Sequence, residues 1–259
     1  MKRAFLLSLV VAAGAVAAWR FWPAEPVLVK ETDRELKPGD PFPHEMWTKI
    51  LKERCRDGLV DYAGLKKDRG AFDAYLGFLA KYSPQTHPDL FPRREDRLAY
   101  ALNAYNAYVV LGVLEHLPVA SVRDIGGFFK KFEYPFGGKG FSLEAWETWI
   151  RTEFRDPRIH FALNCASLGC PTLPSEAFNP DRLEEQLARE AKAFVKAERN
   201  VKVEGGKVRL SSIFKWYRGD FEKAEAKGLA AYIRSVGGDV PEGAEIEFAD
   251  YDWALNAAK

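Results

Sequence analysis

The sequence predicts an α+β fold, a mainly helical single domain in which small antiparallel sheets or hairpins surround one buried central helix. Three observations carry that expectation. Between about Asp96 and His116 lies the run Leu-Ala-Tyr-Ala-Leu-Asn-Ala-Tyr-Asn-Ala-Tyr-Val-Val-Leu-Gly-Val-Leu, apolar nearly all round, and a helix without a polar face belongs inside a core. Val201, Val203, Val208 and Leu210 alternate with polar residues about Gly205-Gly206, the pattern of a hairpin with a two-residue turn. No internal repeat and no second linker interrupts the body, so residues 44–256 read as a single domain.

In chain order, residues 1–22 read as a signal peptide or an N-terminal anchor. Met1-Lys2-Arg3 gives a positive start, the apolar run Ala4 to Trp19 follows, and Ala15-Val16-Ala17 offers small residues for cleavage. The run is short of the ~20 residues that span a bilayer, while Arg20, Phe21 and Trp22 would suit an interface. The expected location is therefore exported and periplasmic, or anchored to the membrane by this segment. Residues 23–43, with five prolines among charges, read as an extended linker or entry segment. Trp47, Ile50, Leu51 and Cys55 make the buried stripe of a helix that Gly58 would end, with Cys55 as a small core residue. Phe72, Tyr75, Leu76 and Leu79 mark a second helix, and Pro118 ends the central one.

Phe128 to Phe141 reads as a hairpin about the glycines at 137, 138 and 140. Ser142 then caps a helix with Leu143, Trp146, Ile150 and Phe154 on one face, and Glu147 shares that face. Glu147 would either pair with Arg151 one turn on or reach a histidine inside. Asn179-Pro180 starts the next helix. Ser211 or Ser212 caps the aromatic segment Ile213 to Tyr217, a last helix carries Leu229, Tyr232 and Ile233, and Ile246 to Asn256 reads as a strand with a polar close.

Composition removes some functions. The chain has 259 residues, 47% of them hydrophobic, which suffices for a substantial core. Lys and Arg number 38 against 37 for Asp and Glu, a net charge of +1 without long one-sign blocks. That is not the electrostatic footprint of a nucleic-acid binder. The expected partner is a small-molecule or peptide ligand, with membrane contact only through an uncleaved N-terminal segment. No cofactor and no metal is expected.

Arg158 to Pro174 gathers a histidine, an asparagine and two of the three cysteines. Ile159 to Cys165 has strand length and alternates, with Ile159, Phe161, Leu163 and Cys165 on one face and His160, Ala162 and Asn164 on the other. On a straight strand His160 and Cys165 would point to opposite faces with Cα atoms ~16 Å apart. A thiol–imidazole couple therefore needs a bulge near Asn164. Three readings stay open at this point: an activated Cys165 thiol, a Cys165–Cys170 disulfide across the turn, and a metal held by His160, Cys165 and Cys170. The last suffers from the absence of the Cys-x2-Cys spacing of structural zinc sites.

Several separated motifs occur in order: Asp57-Gly-Leu-Val-Asp-Tyr62, Leu102-Asn-Ala-Tyr-Asn-Ala107, Ser142-Leu-Glu-Ala-Trp-Glu147, Asp156-Pro-Arg-Ile-His-Phe-Ala-Leu-Asn-Cys165, Ser167 with Cys170-Pro171, Ile213-Phe214 with Trp216-Tyr217 and Asp220-Phe221, and Tyr251-Asp-Trp-Ala-Leu-Asn256. On these the body resembles the family known as domain of unknown function 547, found in exported bacterial proteins and at the C-terminus of plant proteins with coiled-coil partners. The resemblance implies no reaction. It does imply that Asn103, Asn106, Glu147, His160, Asn164, Cys165 and Cys170 are motif-bearing positions. The expectation is a thiol-dependent hydrolase or acyl transferase. Cys165 would be the nucleophile, His160 the general base once a bulge turns it inward, and Glu147 or Asn106 the group orienting the imidazole. A backbone N–H beside Cys165 would stabilise an oxyanion. Asn103, Asn164, Cys170, Trp216 and Tyr217 are the expected binding residues. The alternative is a non-enzymatic ligand- or protein-binding domain with a structural Cys165–Cys170 disulfide.

Overall fold

The computed structural model describes residues 23–258, so the expected targeting segment 1–22 lies outside the described residues. Residues 23–43 are mostly extended and lie along the body. Strand β1 (Glu25–Pro26) pairs in parallel with residues 132–133, and Leu36 is buried. Helix α1 (His44–Arg54) begins where the prolines stop and buries Trp47, Ile50 and Leu51.

The sequence reading extended this helix to Gly58, and the structure corrects it. Cys55 opens strand β2 (Cys55–Arg56), which pairs with β3 (Leu59–Val60) about Asp57 and Gly58. These two residues have φ of 54° and 79°, the two positive values that a hairpin turn matching the strand twist requires. Cys55 is a core residue all the same. Its thiol donates to the Leu173 carbonyl at 3.6 Å, and burial pushes its pKa up to about 11.

Helix α2 (Tyr62–Lys67) is capped by Asp61, whose Oδ1 accepts the Gly64 N–H at 2.8 Å. Helix α3 (Gly70–Lys81) buries Phe72, Tyr75, Leu76 and Leu79. The central helix α4 (Arg94–His116) is buried at every residue from Leu98 to Leu114. Hairpin β4 (Phe132–Phe136) and β5 (Lys139–Ser142) and helix α5 (Leu143–Phe154) close one side of it. Ser142 caps α5 by accepting the Ala145 N–H at 3.2 Å. Polar groups on the packing side chains are satisfied across elements: Tyr100 Oη donates to the Leu79 carbonyl at 3.0 Å and Trp146 Nε1 to the Ala101 carbonyl at 3.1 Å.

Beyond α5 the chain makes a 3-10 turn, Pro157–Phe161, then an irregular stretch to Asn179. Helix α6 (Leu183–Lys196) follows, then hairpin β6 (Val201–Glu204) and β7 (Lys207–Leu210), then helices α7 (Ser212–Trp216), α8 (Arg218–Ala224) and α9 (Leu229–Ser235). The C-terminal strand expectation holds for β8 (Glu245–Phe248) alone, which joins β7 in parallel. The antiparallel hairpins are as expected, and two of them gain a parallel edge strand, β1 on β4 and β8 on β7.

The buried apolar residues form two clusters. The larger surrounds α4. The smaller gathers Phe194, Val208, Leu210, Phe214, Phe221 and Ile233 from the C-terminal elements and is joined by Phe161 from the 3-10 turn. Phe161 stacks 5.6 Å from Phe221 and lies 4.8 Å from Phe194. The turn is thus held by both clusters. Among the described residues no helix is long and apolar enough to cross a membrane.

Gly58 and Gly206 have nearly equal φ, 79° and 80°. A Cβ at Gly206 would meet open space, whereas one at Gly58 would fall 2.6 Å from Thr172 Cγ2. Gly206→Ala is expected to cost ~1 kcal/mol, the left-handed strain alone. Gly58→Ala should cost clearly more in urea unfolding, and equal costs would show that the first hairpin does not pack on the chain at Thr172.

Candidate functional site

The chain from Asp156 to Cys170 is not a strand. Asp156 accepts the Arg158 N–H at 3.0 Å, Pro157 takes the first helical position, and residues Pro157–Phe161 wind into the 3-10 turn. The alternation of Ile159, Phe161 and Leu163 misleads because His160 and Ala162 are buried too, so burial has no period here. The opposite-face argument and the proposed bulge fall with the strand.

His160 is buried, 3% exposed. Its Nε2 bonds Asp220 Oδ2 at 2.9 Å, and its ring stacks on Tyr217 with centroids 3.8 Å apart. Arg151 Nε donates to the same Asp220 oxygen at 2.9 Å. Burial lowers the His160 pKa from its ordinary value, and the Asp220 bond and nearby Glu147 only partly oppose this. Asp220 is held well below the usual carboxylate range, first by its bond to His160 and then by Arg151. The result is a neutral imidazole that donates Nε2–H to an ionised carboxylate, which leaves Nδ1 as the basic nitrogen. Asp220, not Glu147 or Asn106, orients the imidazole. Glu147 pairs with neither Arg151 nor His160: it accepts the Tyr217 hydroxyl at 2.6 Å.

Asn106 and Asn103 tie down loops. Asn106 Nδ2 donates to the Ala162 carbonyl at 3.0 Å, and its Oδ1 accepts the Asn164 N–H at 2.9 Å. Asn103 closes the same two-way bond on Phe178, at 2.8 and 2.9 Å. It also contacts His44 Nδ1 at 3.1 Å. Asn164 points inward as well, donating to the Pro171 carbonyl at 2.7 Å and accepting the Ala166 N–H at 2.8 Å. That second bond supports Ala166 at φ 61°, a left-handed conformation that a side chain disfavours.

Cys165 is partly exposed and Cys170 buried, and both are free thiols. The Cys165 sulfur lies 3.0 Å from Ser167 Oγ and 3.1 Å from Tyr251 Oη. The Cys165 N–H donates to Cys170 Sγ at 2.7 Å. Burial would raise the Cys165 pKa, but hydrogen bonds from Cys170, from the Ser167 and Tyr251 hydroxyls and from the Ser167 N–H outweigh it and lower the value. Cys170 moves the other way, pushed well up by burial and by the neighbouring Cys165 sulfur. Of the two, Cys165 is the one whose surroundings favour the thiolate.

Six of the seven backbone N–H groups from Asn164 to Cys170 are bonded within the chain. Asn164 N–H bonds Asn106 Oδ1, Cys165 and Ala166 N–H bond within the loop, Leu168 and Gly169 N–H bond Ala254 and Asp252 carbonyls at 2.8 Å each, and Cys170 N–H bonds Ser167 O at 3.1 Å. The Ser167 N–H and the Tyr251 and Ser167 hydroxyls are the donors that remain beside the sulfur.

A cleft of about 450 Å³ opens on these groups. Glu147, Arg151, His160, Cys165, Cys170, Trp216, Tyr217, Tyr251 and Trp253 are among its lining residues. Helix α5 presents Glu147 and Arg151 one turn apart, α7 supplies Trp216, the C-terminal segment supplies Tyr251 and Trp253, and Asp220 on α8 stands behind His160. Trp216 is 48% exposed and stacks with Trp253 at 5.8 Å and tilts on Tyr251 at 4.7 Å. Six sequence-predicted residues thus share one cleft: Glu147, His160, Cys165, Cys170, Trp216 and Tyr217. Asn103 and Asn106 stand behind it. Asn164 lines a neighbouring cavity of about 510 Å³, which shares Cys170 and Tyr251 with the cleft. No direct bond joins His160 to Cys165. Among the described residues no group of three or more His, Cys, Asp or Glu side chains is placed to hold a metal ion.

Sequence reasoning gave no site role to Asp220, Tyr251 or Ser167, although all three stand in the motifs Asp220-Phe221, Tyr251-Asp-Trp and Ser167 with Cys170-Pro171. Residues 90–195 match a family model described as protein of unknown function, DUF547. The chain resembles that family. The match takes in α4, α5, His160 and both cleft cysteines, while Asp220, Trp216, Tyr217, Tyr251 and Trp253 lie C-terminal to it. No curated protein and no solved structure matches the chain.

Two outcomes are expected of the buried polar groups. Asn106→Leu strands the Ala162 carbonyl and the Asn164 N–H and should cost at least ~2 kcal/mol in urea unfolding, and a loss within error would mean that the loop holds itself. His44, buried against Tyr75 and Asn103, has its pKa lowered by burial to about 3. With His160 it is neutral in the fold, and such a group contributes stability above its unfolded pKa of ~6.5 that is lost as pH falls. Unfolding free energy should therefore drop between pH ~6.5 and ~3, and His44→Gln should flatten that slope.

Proposed function

We propose that the chain is a thiol-dependent enzyme, a hydrolase or acyl transferase acting on a small-molecule or peptide ligand held in the aromatic cleft. The observation that carries this reading is Cys165, a half-buried residue lining the cleft, whose sulfur lies 3.0 Å from Ser167 Oγ and 3.1 Å from Tyr251 Oη, hydrogen bonds that favour its thiolate. A thiolate needs no base to attack a carbonyl carbon. His160, neutral and fixed by Asp220, has its remaining task on the other side of a bound ligand, where Nδ1 takes the proton of an attacking water or alcohol and returns it to a leaving group. The Tyr251 hydroxyl, which burial and the two sulfurs keep protonated, donates to the developing oxyanion together with Ser167. Trp216 and Trp253 give the ligand an apolar shelf. The export reading of residues 1–22 is taken forward with this proposal, with the periplasm or the outer side of a membrane as the place of action.

One observation favours a second reading, a non-enzymatic binding domain: six of the seven peptide N–H groups from Asn164 to Cys170 are already bonded within the chain, so oxyanion stabilisation rests on the Ser167 N–H and hydroxyl groups.

An activated ester such as p-nitrophenyl acetate separates the two. The enzyme reading expects a burst of nitrophenol and an acetyl group on Cys165 by peptide mass mapping, abolished in Cys165→Ala. Asp220→Asn should slow turnover about 100-fold while leaving the acetylated residue the same. Absence of any adduct on Cys165 would sink the enzyme reading.

A further inference from the structure

The cleft holds two thiols where nucleophilic attack on a carbonyl needs one. Cys170 is not a bystander packed in the core: its sulfur accepts the Cys165 N–H at 2.7 Å, and both cysteines line the cleft with Tyr251, whose Oη lies 3.1 Å from the Cys165 sulfur. The chain between them is fixed. Ala166 sits at φ 61°, Leu168 and Gly169 are bonded to the C-terminal segment, and the Cys170 N–H returns to the Ser167 carbonyl at 3.1 Å. Arg199 donates to the Cys170 carbonyl at 3.0 Å from the far side. Two sulfurs held together on a fixed loop react with one another as an intramolecular pair, at high effective concentration.

We propose that Cys165 and Cys170 form a reversible dithiol that closes to a disulfide when Cys165 meets a peroxide. This rests on the reading of Cys165 as the nucleophilic thiol. The Cys165 thiolate attacks one oxygen of the peroxide, the S–O bond forms as the O–O bond breaks, and hydroxide or alkoxide leaves. Cys165 is oxidised to the sulfenic acid and the peroxide is reduced. Cys170 then attacks the Cys165 sulfur, the S–S bond forms as the S–O bond breaks, and the departing hydroxide takes the Cys170 proton and leaves as water. An external dithiol restores both thiols by exchange. The opposed pKa directions of the two thiols suit these steps, since one must be the thiolate and the other must bring a proton. Cys55 takes no part, being buried and bonded to the Leu173 carbonyl.

The test uses the full chain, reduced, freed of reductant and exposed to an equimolar dose of hydrogen peroxide, then acid-quenched, alkylated and peptide-mapped. The expected result is a Cys165–Cys170 cross-link with Cys55 alkylated, reversed by dithiothreitol. In Cys170→Ser the Cys165 sulfenic acid should persist and be trapped by dimedone. In parallel, iodoacetamide labelling of the reduced chain reads the nucleophilicity of Cys165 separately. Fast labelling of Cys165 with no cross-link, or with sulfinic acid at Cys165 in the unsubstituted chain, overturns the dithiol and leaves the nucleophile standing. A cross-link formed in a chain that iodoacetamide labels no faster than free cysteine keeps the dithiol and removes the thiol-enzyme reading.

Discussion

The site depends on a buried amide. Asn106, inside the central helix, grips the chain on both sides of Leu163, donating Nδ2–H to the Ala162 carbonyl and accepting the Asn164 N–H on Oδ1. In a core this dry those bonds have no competitor from water, so breaking them costs the desolvation of two orphaned groups. The grip fixes Asn164, and Asn164 in turn fixes the peptide of Ala166 and the carbonyl of Pro171. A third amide continues the run: Asn256 contacts Asn164 at 3.4 Å, donates to the Gly58 carbonyl at 3.0 Å and accepts the Tyr62 hydroxyl at 2.8 Å. The cysteine loop is thereby tied to the central helix, to the first hairpin and to the C-terminal segment at once. Irregular backbone can be this well buried only when each of its polar groups is answered.

The same loop decides which sulfur is reactive. Burial acts on both cysteines and disfavours the charged form of each. At Cys165 it is outweighed, because two hydroxyls, a thiol and a peptide N–H all converge on one sulfur. At Cys170 burial is reinforced by the neighbouring thiolate. The asymmetry comes from geometry: the Ser167 and Tyr251 hydroxyls lie 3.0 and 3.1 Å from the Cys165 sulfur, and the Cys165 N–H donated to Cys170 only partly offsets the burial of that thiol.

Much of the fold was legible in the sequence, and the failures have definite causes. Helices α4 and α5 were read correctly because an all-apolar run and a capped apolar stripe leave few alternatives. Gly58 was misread as a helix end although Asp57-Gly58 is itself a hairpin signal, since a glycine after a helical stripe serves both purposes. The 3-10 turn was misread as a strand although Asp156-Pro157 is a helix start, because five consecutive buried residues, Ile159 to Leu163, erase any period. Asn103 and Asn106 could be recognised as buried amides needing partners. Their partners could not be named, since Phe178 and Ala162 lie 75 and 56 residues away. Asp220 was invisible for the same reason: nothing local says which of many carboxylates will reach His160.

The family match ends at residue 195, and the cleft does not. Its thiols, Glu147 and His160 come from inside the matched stretch. The carboxylate that holds His160, the ring stacked on it and the Tyr251 hydroxyl beside the Cys165 sulfur come from after it. Phe161 explains how the two halves are kept in register. One residue beyond His160, it is packed into the C-terminal apolar cluster among Phe194, Phe214 and Phe221, so the 3-10 turn cannot shift without disturbing that cluster. Asp220 and Phe221 are adjacent on α8, and they receive His160 and Phe161, adjacent on the turn. The apolar contact sets the distance at which the polar contact can form, and an exposed carboxylate elsewhere on the surface could not substitute for it. A stretch limited to residues 90–195 would therefore carry the thiols and Ser167 without Tyr217, Asp220 and Tyr251.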